Sequence, residues 1–149
     1  MIGIKTEDDV YFLADSLFSE KTITKYHLFF IYDIEKYLNT LDCLSTLNGK
    51  LFIPPHCEAT TDITSLTEIN KNKIEKISSK IYSLCSGKKT FEDILKNIFD
   101  AYNLTMNPNQ YVSAGSTIRS YLSYLYSKEK IEFGFKDNKM LWKQKTNLD

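Results

Sequence analysis

Two side chains able to bind a metal ion each follow directly on a short apolar run. Val10-Tyr11-Phe12-Leu13-Ala14 leads to Asp15, and Leu51-Phe52-Ile53-Pro54-Pro55 leads to His56. Carboxylate and imidazole are zinc ligands, and zinc makes hydroxide available at neutral pH for hydrolysis. Taken singly, an Asp after a strand is a turn former and a His after Pro-Pro is a loop residue. Their joint occurrence is what points to a metal. The pair is nevertheless incomplete, because catalytic zinc takes about three protein ligands plus water. The only other histidine is His27, in Lys25-Tyr26-His27-Leu28-Phe29, and it reads as structural or surface. Cys43, Cys57 and Cys85 stand far apart and are odd in number, which indicates neither a disulfide framework nor a zinc knuckle. Adjacent side chains on extended backbone point to opposite sides, so His56 is poorly placed to activate Cys57, which reads as an inert thiol.

The elements that must position Asp15 and His56 can be read between them. Ile34, Tyr37, Leu38, Leu41, Leu44 and Leu47 recur at helical spacing, and Asn48-Gly49 supplies the stop. A strand, helix, strand crossover follows, which pairs the strands in parallel and brings both metal-binding residues to one carboxyl edge. The segment from Ser16 to Tyr32 has no clear period and is expected to be packed irregular chain.

From Asp62 onward the pattern is helical. Leu66, Ile69, Ile74, Ile77, Ile81 and Leu84 form a stripe that ends near Gly87. Thr90 to Asp93 is a capping pattern ahead of a second helix that buries Phe91, Ile94, Leu95, Ile98 and Tyr102. A third helix is expected over 117–127, with Asn107-Pro108-Asn109 and Gly115 as punctuation before it. Beyond it, Ile131, Phe133 and Phe135 alternate, and a turn at Asp137-Asn138 sets Phe135 opposite Met140 and Phe133 opposite Trp142. Three helices followed by a hairpin is the order of a winged helix.

The first sixty or so residues resemble the second half of the metallo-β-lactamase-fold hydrolases. In that family an H-x-H-x-D-H run and a later His precede an Asp that closes a strand, and a last His follows another strand. Ile2-Gly3-Ile4-Lys5-Thr6 with Val10 to Asp15 is similar to the strand pair ending in the bridging Asp; Phe52-Ile53-Pro54-Pro55-His56 is similar to the strand ending in the last His. The resemblance implies that Asp15 bridges two zinc ions and that His56 binds one of them. It departs from the family in having no H-x-H-x-D-H run, and in carrying Cys57 where Gly often follows the last His. Met1 falls where the preceding His-containing loop would be, so the expectation is a chain that starts mid-fold. Some members of the family also resemble this chain in carrying a helical or winged-helix tail.

Composition bounds the remaining function classes. A hydrophobic content of 42% with ten Tyr and nine Phe predicts a packed core. Net charge is zero, with five Lys against nine acidic residues over 1–60 and a surplus of four basic residues over 61–149. That surplus is too small to imply nucleic acid. On the third helix Ser116, Arg119, Ser120, Ser123, Tyr126 and Ser127 would face outward, and a single Arg argues against DNA. Lys136 and Lys139 at the hairpin tip, with Lys143, are the counter-argument. Packing against the hydrolase half, or dimerisation through Tyr111, Tyr121 and Tyr124, fits that helix better. The N-terminus is acidic and no run approaches a membrane span, so a cytoplasmic protein is expected.

The expected fold is α+β: the C-terminal strand-helix-strand half of a metallo-β-lactamase-like αββα fold over residues 1–61, then a three-helix winged-helix-like domain with a β-hairpin over 62–149. The expected function is the C-terminal portion of a zinc-dependent hydrolase, inactive alone and completed by a missing N-terminal half, another chain or a homo-oligomer. The competing expectation is a winged-helix regulatory or protein-interaction module.

Overall fold

The computed structural model describes residues 3–55 and 57–146. The chain forms two compact units, Met1–His27 with Glu35–Glu75, and Leu28–Ile34 with Lys76–Asp149.

The first unit is built on a three-stranded sheet in the order β1 (Ile4–Lys5), β2 (Val10–Phe12), β3 (Leu51–Ile53). β1 and β2 are antiparallel, with Ile4 opposite Phe12, and β2 and β3 are parallel. Parallel neighbours require a crossover, and helices α1 (Glu20–Lys25) and α2 (Ile34–Ser45) lie within it. α2 buries Tyr37, Leu41 and Leu44, three of the residues whose spacing predicts it. Gly49 ends the crossover where Tyr11 passes close by: a Cβ there would lie 2.6 Å from the Tyr11 ring.

The segment 16–32 is not irregular throughout. The Ser19 hydroxyl accepts from the Thr22 amide at 3.2 Å, satisfying an otherwise orphaned N–H, and six residues of helix α1 follow and bury Ile23. Six residues are too few to display a hydrophobic period, which is why only the cap could have revealed this helix.

Helix α3 (Thr64–Leu84) begins where Asp62 Oδ1 accepts from the Thr64 amide at 2.8 Å, which also holds the Asp62 carboxyl below its usual range. Its fully buried Asn70 joins three segments of the first unit. Asn70 Oδ1 accepts from the Phe18 amide and the Tyr37 hydroxyl, each at 3.1 Å, while Nδ2 donates to the carbonyls of Phe18 at 2.9 Å and Leu66 at 2.8 Å. Every donor and acceptor of that amide is used, so its burial is compensated.

The second unit holds the end of α3, then α4 (Phe91–Ala101), α5 (Pro108–Ser127) and the hairpin β4 (Ile131–Lys136), β5 (Lys139–Gln144). Thr90 and Asp93 form the expected capping box: Thr90 Oγ1 accepts from the Asp93 amide at 3.1 Å and Asp93 Oδ2 accepts from the Thr90 amide at 2.9 Å. The hairpin register is also as expected, with Phe133 opposite Trp142 and Phe135 opposite Met140. On its aromatic side Phe133 meets Trp142 edge-on at 5.3 Å between ring centroids and lies 5.2 Å from Tyr126 of α5.

Helix α5 is nearly twice as long as the 117–127 expectation. Asn107 is its N-cap, accepting from the Gln110 amide at 2.9 Å, and Pro108 occupies the first turn, where no N–H is needed. Residues read as punctuation are therefore the start of the helix, and Gly115 is buried inside it. Tyr121 is fully buried, so the Tyr111, Tyr121, Tyr124 surface does not exist as such. Among the described residues no helix is long and apolar enough to cross a membrane.

Candidate functional site

The parallel pairing of β2 with β3 sets Val10 opposite Leu51, Tyr11 opposite Phe52 and Phe12 opposite Ile53. Leu13 continues the ladder by donating its amide to the Ile53 carbonyl at 3.1 Å. Asp15 is the third residue beyond Phe12, and His56 the third beyond Ile53, so the two stand at equal offsets from one matched pair. His56 itself lies outside the described residues.

Asp15 sits in a single turn of 3-10 helix, Ala14–Ser16, where β2 gives out. Ala14 adopts a positive φ of 45°, turning the chain out of the strand direction. The Ser16 hydroxyl, buried, donates back to the Leu13 carbonyl and closes the turn. The Asp15 side chain is exposed at the end of the sheet. A carboxylate so placed is able to reach a ligand held beyond the strand ends.

After β3 the chain folds back on itself. Phe52 and Thr60 exchange both backbone hydrogen bonds, at 2.8 and 3.0 Å, and the Cys57 amide donates to Pro54 at 3.4 Å. Burial pushes the Cys57 thiol above its ordinary value, and it does so more strongly at Cys85, up to about 11. Both thiols are thereby kept protonated and poorly nucleophilic near neutrality, in keeping with the inert reading of Cys57. Burial raises the Tyr37 hydroxyl too, helped by the neighbouring Cys57. Among the described residues no group of three or more His, Cys, Asp or Glu could hold a metal ion. His27 is half-buried in the segment after α1.

The helix read as a possible nucleic-acid face is engaged elsewhere. The Arg119 guanidinium lies 3.5 Å from the centroid of the Phe91 ring, and the Ser120 hydroxyl donates to the Tyr32 carbonyl at 2.6 Å. Two of the six outward positions are thus spent within the second unit. The Lys143 ammonium pairs with Glu132 across the hairpin at 2.5 Å.

No known family profile and no characterised protein matches the sequence. Solved structures do match. A beta-lactamase domain protein from Burkholderia ambifaria superposes with a TM-score of 0.75 over 96% of this chain, at 12% sequence identity. The chain has the metallo-β-lactamase fold. A metallo-beta-lactamase family protein from Thermus thermophilus gives a TM-score of 0.67 over 93% of the chain, at 16% identity. The chain spans less than half of each of these proteins, 44% and 43%. That share agrees with a C-terminal part of the metallo-β-lactamase fold. Coverage this complete takes in the helices and hairpin as well as the sheet, beyond the first sixty residues on which the resemblance in sequence rests.

Proposed function

We propose that the chain is the C-terminal portion of a zinc-dependent metallo-β-lactamase-superfamily hydrolase, inactive alone, and that Asp15 and His56 are its contribution to a two-metal site. The carrying observation is the β2–β3 register, which gives both residues the same offset from the pair Phe12–Ile53. The sheet supplies support of a second kind. By strand alternation Ile4, Val10, Phe12, Leu51 and Ile53 share one side of it, and none of the five is buried. Ile4 is 62% exposed and Phe12 44%, whereas Phe52 on the opposite side is buried. An all-apolar sheet face left open is what a sandwich lacking one layer would present. A missing N-terminal half, another chain or a second copy would cover it.

Zinc, when bound in such a site, supplies a hydroxide nucleophile and polarises the bond under attack. The described residues do not by themselves make up a zinc site, so no step of hydrolysis is assigned to this chain alone. Cobalt(II) titration, followed by visible absorption, tests the assignment. Weak binding that is lost in both Asp15→Ala and His56→Ala supports it. Cobalt binding indifferent to both substitutions overturns it. The segment encoded just upstream of Met1 gives a second check, since an H-x-H-x-D-H run is expected there.

The competing reading is a winged-helix regulatory or interaction module, favoured by the order α3, α4, α5, β4, β5 and by Lys136 and Lys139 at the hairpin tip. The stacking of Arg119 on Phe91 and the bond from Ser120 to Tyr32 weigh against a DNA-reading role for α5. A salt-dependent gel shift with duplex DNA would revive it. The unpaired cysteines support a reducing, cytoplasmic location.

A further inference from the structure

The hairpin leaves one strand edge open. On β5 the Trp142 amide donates to the Lys89 carbonyl at 2.8 Å, the Lys89 amide donates back at 2.9 Å, and the Gln144 amide donates to Cys85 at 2.7 Å. The backbone groups of Trp142 and Gln144 therefore point away from β4. Their cross-strand partners are Phe133 and Ile131, so in an antiparallel ladder those residues turn their own N–H and C=O groups away from β5. Phe135, two residues beyond Phe133, does the same. Among the described residues no strand or bridge pairs with that outer edge of β4. The register with β5 runs unbroken from Ile131 to Lys136, with no bulge and no proline to deter a further strand.

The side chains along this edge are self-complementary. Glu132, Gly134 and Lys136 share one side, and Phe133 and Phe135 the other. Laying Glu132-Phe133-Gly134-Phe135-Lys136 antiparallel to itself, with Gly134 at the centre, sets Glu132 opposite Lys136 and Phe133 opposite Phe135. The same register makes Phe133 and Phe135 the hydrogen-bonded pair, and theirs are the backbone groups that face outward. The neighbouring symmetric registers set Glu132 or Lys136 opposite Gly134 and lose the charge match. Within one hairpin Glu132 pairs with Lys143 at 2.5 Å, whereas Lys136 stands opposite Lys139, a like charge that Glu132 of a second copy would offset. Charges on an edge strand ordinarily repel another strand, and here their order attracts one. The rings would be covered as well, since Phe135 is 74% exposed and Phe133 39%.

We propose that β4 pairs antiparallel with β4 of a second copy of this chain, about a two-fold axis at Gly134, joining two hairpins into one four-stranded sheet. Trp142 and Phe133 of one copy would then continue into Phe135 and Met140 of the other as a single aromatic and apolar row. Each two-stranded ribbon gains the further strands that such ribbons need for stability. The contact is isologous and closes at the dimer.

The test uses the full chain carrying Phe12→Ser, which lies outside the hairpin and removes the open sheet face of the first unit as a source of association. Expected in sedimentation equilibrium is a reversible dimer, with hydrogen exchange at the Phe133 and Phe135 amides slowing as protein concentration rises. Lys136→Glu relieves the like charge at Lys139 inside the hairpin but opposes Glu132 of the second copy, so it should weaken the dimer about tenfold or more. Adding Glu132→Lys restores opposite charges in that register and should return the dimer to within about threefold of its parent. A monomer at every concentration overturns the proposal, as does a dimer whose Phe133 and Phe135 amides exchange independently of concentration. A dimer indifferent to Lys136→Glu, or one that the double substitution fails to recover, overturns it too.

Discussion

The two units bury themselves differently. In the second, Ile94, Leu95, Ile98, Ile118, Leu122 and Leu125 are at most 1% exposed, capped helices surround them, and hydrophobic burial holds the unit together. In the first, the strands are only two or three residues long, one sheet face stays open, and a polar clamp at Asn70 ties α3 to Tyr37 and to the loop at Phe18. The first unit also buries Leu17, Leu41 and Ile74, so the contrast lies in its sheet, which keeps one face open. The candidate metal residue Asp15 belongs to the unit with the open sheet face, which accords with the proposal that its fellow ligands come from elsewhere.

Three substitutions break or sharpen that contrast. Ile98→Ala removes a fully buried side chain from the closed core and should cost about 2–5 kcal/mol, read as an earlier urea midpoint of Trp142 fluorescence. Asn70→Ala should cost about 1–3 kcal/mol, because the Phe18 amide and carbonyl lose their partners. Hydrogen exchange should then rise in the first unit and spare α4 and α5; exchange rising equally in both would erase the distinction. Phe12→Ser should change stability by less than about 0.5 kcal/mol and should reduce self-association in sedimentation. A loss approaching that of Ile98→Ala would mean that the sheet face is already covered.

Legibility in the sequence followed the range of the interactions. The capping box at Thr90 and Asp93 and the hairpin register could be read because each is decided within a dozen residues. The parallel pairing of β2 with β3 could be read because a crossover leaves few alternatives. The start of α5 was misread because Asn-Pro and Gly are statistically breakers, whereas Asn107 and Pro108 serve here as N-cap and first turn. What could not be read depends on contacts across long stretches of chain: the grouping of Leu28–Ile34 with the second unit, where Ser120 holds Tyr32, and the clamp at Asn70, whose value depends on Phe18 arriving beside it. For the site, the sequence offered two residues at matching positions. The structure supplies their common register for the strands and the exposed turn at Asp15.

Ala14 gives that turn a further consequence. An L-residue held at φ 45° bears a handedness penalty of about 1–2 kcal/mol that glycine would not bear. Glycine there would relieve the penalty and widen the range of torsions open at position 14, and with it the directions in which the chain can leave the strand. Alanine therefore trades a little stability for a narrower spread of directions in which the Asp15 carboxylate can point, so its aim is set by backbone stereochemistry.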